Sequence, residues 1–105
     1  MKLSVIERVL LGGMMSTYQG SFTNLKLLRK GREALSFNDE ENQKLKFVQE
    51  GIKLEWNPQA ALEIGSAEID FDVTVTNVIK GMFVKLNDEQ KLTEQHFSLC
   101  EKFLI

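Results

Sequence analysis

Cys100 is the only cysteine in 105 residues, and that narrows what the chain can become. No intramolecular disulfide can form, and neither a cysteine-based zinc knuckle nor a Cys-x-x-Cys redox pair can be built. The fold must close a hydrophobic core unaided, for which this length suffices. Apolar residues at 43% and charged residues at 27% match globular domains and argue against a disordered or fibrous class. The expectation is a single domain over residues 1–105 in a reducing, cytoplasmic setting.

Thirteen Lys and Arg stand against fifteen Asp and Glu, a formal charge of -2. That balance removes the global attraction on which non-specific nucleic-acid binders rely, so any anion site must be local. The opening MKLSVIERVLLGGMM is interrupted by Glu7 and Arg8 and lacks a small-residue cleavage site, so it reads as a folded helix and not a signal peptide. No stretch approaches the roughly 18 apolar residues that a spanning helix needs, and no membrane role is expected.

Helix-start signals punctuate the chain. Ser4-x-x-Glu7 opens a helix from about Val5 to Met15, with Leu3, Ile6, Leu10 and Met14 as its apolar stripe and Gly12-Gly13 weakening its last turn. After STYQGSF, Ser21 or Thr23 caps a second helix whose buried stripe is read as Phe22, Leu25, Leu28 and Leu35. Asn38-x-x-Glu41 starts a short acidic helix ending near Leu45. In KFVQEGIKLEW, Ile52, Leu54 and Trp56 alternate with Lys53 and Glu55 as in a hairpin covered on one face, ended by Asn57-Pro58. Ala61 to Gly65 supplies a third strand. From Ile69 the sequence fits both periods: a strand over Ile69 to Val75, or a helix with Ile69, Val73, Thr76, Ile79, Phe83 and Leu86 on one face. Continuity with VIKGMFVKL favours a helix from about Asp70 to Asn87. Thr93 caps a closing amphipathic helix carrying Leu92, His96, Cys100 and Phe103, with Phe97 and Leu104 beside them. The expected class is α+β, with four to five helices packed on a small antiparallel hairpin or three-stranded sheet.

Catalytic signals are sparse. His96 and Cys100 stand at i and i+4, but a nucleophilic dyad also needs an orienting third group and an accessible thiolate. Asp70 and Asp72 share a face only on a strand, and Asp39, Glu40 and Glu41 suit a helix N-terminus without a metal. Gly12-Gly13 lacks the Lys-Ser/Thr of a phosphate loop. No enzyme activity, cofactor or metal is expected.

The order of LKLLRKGREALSFNDEE, QEGIKLEWN, ALEIG and KLNDEQKLTEQHFSLCEKF resembles a group of short, functionally uncharacterised proteins from tailed-phage and prophage genomes. The resemblance runs from Leu3 to Phe103. STYQGSF departs from it, since a shorter turn richer in Pro and Lys is usual there. The group brings no activity or functional residues. What it implies is a bacteriophage origin and a small protein that redirects or blocks a host component, as an inhibitor or anti-defence accessory.

One cluster stands out within TNLKLLRKGREAL. Lys26, Arg29 and Lys30 lie at i, i+3 and i+4 with Arg32 further around, and only Glu33 opposes them. Either this is the solvated back of a helix, or, with neighbouring Tyr18, it contacts an acidic patch on a host or phage protein. A nucleotide or nucleic acid is the alternative ligand. Seven Phe, four Met and the apolar ending Phe103-Leu104-Ile105 further suggest a homodimer.

Overall fold

A computed structural model describes residues 1–51 and 53–104. Its elements are β1 (Lys2–Leu3), α1 (Val5–Ser16), α2 (Phe22–Leu35), α3 (Asp39–Leu45), β2 (Val48–Glu50) and β3 (Lys53–Glu55). They continue with α4 (Pro58–Ile64), β4 (Ala67–Glu68), α5 (Val73–Asp88), a 3-10 turn (Glu94–His96) and α6 (Phe97–Leu104). The class is α+β, with six α-helices among the described residues and two small antiparallel sheets, β1 with β4 and β2 with β3. Ile52, expected to alternate with Leu54 and Trp56, and Ile105 of the apolar ending lie outside the described residues.

Local chemistry accounts for the helix starts. Both capping boxes form: the Ser4 hydroxyl accepts from the Glu7 amide and the Glu7 carboxylate from the Ser4 amide, and Asn38 and Glu41 do the same. Ser21 caps α2 by accepting from the Asn24 amide at 3.1 Å. The segment expected as a third strand, Ala61 to Gly65, is instead most of α4 and its cap. Asn57-Pro58 ends the hairpin and also begins a helix. The Asn57 side chain accepts from the Gln59 and Ala60 amides while Pro58 fills the first helical position, where its missing N–H costs nothing. Gly65, at φ +66°, closes that helix in a conformation other residues rarely adopt.

α5 begins three residues later than the expected Asp70, because Asp72 accepts from the Val75 amide and caps it. Ile69 is held outside the helix, its amide donating to the Met1 carbonyl at 2.8 Å. The inward face of α5 is therefore Val75, Ile79 and Phe83, while Val73 is 77% exposed. The 3-10 turn is capped at Thr93, whose amide donates to His96 Nδ1. Leu99 and Phe103 are the buried residues of α6, and Phe97 faces out.

α1, α2, α5 and α6 surround the larger core, which includes Leu3, Leu11, Met15, Leu28, Leu35, Ile79, Phe83, Leu99 and Phe103. A glycine sets the approach of three of these helices: a Cβ on Gly31 would stand 2.9 Å from both Met15 Cε and Val75 Cγ1. The smaller core of Val5, Leu45 and Ala60 lies with Phe37, Phe47 and Trp56 packed against it. There Phe37, Phe47 and Trp56 form a chain with ring centroids 5.3 and 6.1 Å apart.

The α1 stripe differs from expectation. Val5, Glu7, Arg8, Leu11 and Met15 are its buried residues, Leu10 and Met14 are half-buried and Ile6 is 59% exposed. Two charged residues turn inward because each finds partners there. The Arg8 guanidinium donates to the Leu35 and Ser36 carbonyls at 3.2 and 2.6 Å and pairs with Glu41 at 3.0 Å. It also lies 3.9 Å from the centre of the Phe37 ring. Arg8 thus satisfies the free carbonyls at the end of α2 and fastens α3 beneath it. Glu7 accepts from Lys102 at 2.6 Å, and Lys102 also donates to the Lys2 carbonyl, joining α6 to the start of the chain.

Candidate functional site: the outer face of the second helix

Successive helical residues turn by about 100°, so Gly31, Leu28 and Leu35 facing inward fix where every other α2 residue points. Phe22 precedes Gly31 by nine residues, about half a turn around, and therefore faces away from the core. Phe22 is 71% exposed and Leu25 38%. Both were expected in the buried stripe. Lys26 and Arg29 fall on the same outer sector, with Lys30 and Arg32 on its two edges, and all four are exposed.

These cations form no ion pair among the described residues. Glu33, on the same sector, is likewise free of one. The Lys26 ammonium rests 4.6 Å from the centre of the Phe22 ring, a cation–π arrangement that holds an exposed aromatic beside a charge. The surface is mixed: an aromatic, a leucine, three cations and Glu33, with Arg32 leading to a shallow hollow it lines with Arg8, Phe37, Phe47 and Leu54. Such a face can meet an anionic surface and bury apolar area in the same contact. Phe22 was recoverable from the sequence, because a stripe through Leu28, Gly31 and Leu35 excludes it, whereas Leu25, one turn before Leu28, lies at the edge of that stripe.

Tyr18 does not join this face. Its hydroxyl accepts from the Asn24 side chain at 3.0 Å, and Asn24, two residues before Lys26, points nearly the opposite way around α2. The ring is half-buried in a cleft between the 17–20 loop and α5. A second apolar surface, lined by Ile6, Leu54, Trp56, Pro58 and Leu62, forms a groove of about 630 Å³ at the hairpin. Trp56 is half-buried as the alternation implies and Lys53 and Glu55 face water, but Leu54 stays at the groove's surface.

The remaining reactive groups are engaged elsewhere. Burial pushes the Cys100 thiol above its ordinary value, which disfavours a thiolate at neutral pH. His96 uses Nδ1 to accept from the Thr93 amide. Asp72 caps α5 and Glu41 serves Arg8. Among the described residues no group of three or more His, Cys, Asp or Glu is placed to hold a metal, and no helix is long and apolar enough to cross a membrane. No family model, no curated protein and no solved structure matches the chain.

Proposed function

We propose that the chain is a small, non-enzymatic binding protein, of the phage type its sequence resembles, working in the cytoplasm of a host cell. It docks the outer face of α2 on an acidic patch of a host or phage protein. The observation that carries this reading is the row Lys26, Arg29 and Lys30, without ion pairs among the described residues, beside exposed Phe22 and Leu25. Aromatic and Arg side chains are the enriched anchors of protein interfaces, and Phe22 and Arg29 stand together on this face. The test is affinity capture from expressing cells followed by mass spectrometry, with Arg29→Glu/Lys30→Glu and Phe22→Ala as comparison baits. A partner lost with both variants supports the reading.

The second reading, a nucleotide or nucleic acid on the same face, draws on Phe22 as a stacking platform flanked by cations. The net charge of -2 weighs against it. A steep fall in affinity with salt and a melting shift on adding nucleotide would favour it. The proposal also includes a homodimer. Its support is the groove at Ile6, Leu54 and Leu62, which adds to the exposed Leu104 of the C-terminal end.

A further inference from the structure

The cleft that takes Tyr18 lies away from the outer face of α2 and has a different chemistry. It encloses about 650 Å³ between the end of α1 and the 17–20 loop on one side and the second half of α5 on the other. That volume falls within the range of small-molecule sites, and the lining is divided almost evenly between apolar and polar surface. Met14, Val78, Met82 and Leu86 provide the apolar lining.

Two glycines shape it. A Cβ on Gly20 would come within 2.6 Å of the Tyr18 ring carbons, so only glycine there lets the ring lie where it does. Gly81 lines the other wall in the middle of α5, where glycine weakens a helix. Unlike Gly31, it has no packing reason: a Cβ there would meet nothing within 4 Å. A bare helix surface at Gly81 leaves the cleft open.

Glu89 and the side chains of Thr17, Gln19 and Asn24 also line the cleft, and with Glu89 paired to Lys91 the charge left over is positive. Tyr18 accepts from Asn24, which leaves its own hydroxyl proton to give. His96 accepts at Nδ1, so in the neutral ring the proton sits on Nε2. Lys85 lines the cleft and forms no ion pair among the described residues, whereas Lys91 is paired with Glu89 at 3.2 Å. Apolar floor, neutral donors and one uncompensated cation together specify a ligand.

We propose that this cleft binds a small anionic amphiphile, a molecule with an apolar body and a single carboxylate, sulfonate or phosphate head, the head at Lys85 and Tyr18 and the body against Met14, Val78 and Met82. The site is separate from the α2 surface and stands or falls independently of it.

The test uses two fluorescent probes on the purified chain: 8-anilinonaphthalene-1-sulfonate and its uncharged analogue N-phenyl-1-naphthylamine. The sulfonate should bind saturably at one per chain and at least tenfold more tightly than the neutral compound. Gly81→Leu, which fills the cleft from a position with free space, should weaken the sulfonate at least tenfold. Lys85→Glu, an exposed change, should erase the preference for the anion, and Arg29→Glu/Lys30→Glu should leave binding unchanged. Circular dichroism confirms that each variant is folded, and the Lys85→Glu result decides the matter if Gly81→Leu is not. Equal affinity for the two probes, or undiminished sulfonate binding by folded Gly81→Leu or Lys85→Glu, overturns the site.

Discussion

Arg8 carries more of the fold than any exposed charge. Arg8 is buried while its partner Glu41 keeps contact with water, so breaking their pair should cost about 3 kcal/mol, the lower end for buried pairs. Arg8→Ala would also orphan the Leu35 and Ser36 carbonyls. We expect a loss of about that size in urea unfolding, and a loss under about 1 kcal/mol would show the contacts to be dispensable. Glu7 gives a second prediction. Burial raises its pKa, but Lys102 and the Ser4 amide outweigh burial and hold the carboxyl below its ordinary value of 4.5, and Arg8 likewise holds Glu41 below it despite burial. Groups depressed in the folded state add stability that is fully present above the ordinary value and lost as pH falls through the folded one. Stability should therefore drop below about pH 4.5, and Glu7→Gln should flatten that drop while lowering stability at pH 7. An unchanged acid slope in Glu7→Gln would contradict the assignment. The capping role of Glu7 was legible in Ser4-x-x-Glu7, but its bond to Lys102 and the contacts of Arg8 were not, because those partners lie on elements up to 95 residues away.

At the scale of the element, the legible features were those that four residues can decide alone. The capping boxes at Ser4 and Asn38 are local, as is the cap of α2, which the sequence left between Ser21 and Thr23. Asn57-Pro58 is ambiguous because the same dipeptide ends a strand or starts a helix, and the packing of Ala60 into the smaller core selects the helix. The α1 and α2 stripes differ from expectation because apolar residues need not face inward, which set Ile6 and Phe22 wrongly and left out Leu11 and Met15. The two helical glycines give opposite predictions from the same substitution. Gly31→Ala pushes a methyl against Val75 and Met15 and should destabilise by about 1–3 kcal/mol. Gly81→Ala meets open space and should stabilise by about 1 kcal/mol from helix propensity. Thermal melts of the pair check this, and a shift of the same sign in both would refute the packing described.

For the whole molecule, α1 ties the two cores together, giving Leu11 and Met15 to one and Val5 to the other. Exposed apolar side chains remain at the hairpin groove, where Leu62 is 82% exposed beside Ile6. The proposed homodimer predicts a light-scattering mass near twice 12.0 kDa, returning to one copy in Ile6→Glu/Leu62→Glu. A mass of one chain at high concentration would end the dimer and leave the binding proposal standing. Binding through the outer face of α2 is decided by whether folded Arg29→Glu/Lys30→Glu captures the partner. These side chains are exposed and form no ion pair among the described residues, so melting temperature should hardly change. Leu28→Ala, by contrast, should cost about 2–5 kcal/mol because that residue is buried. The folded double variant should lose the partner, through lost attraction and new repulsion. Capture at the wild-type level by that variant would contradict binding through this face.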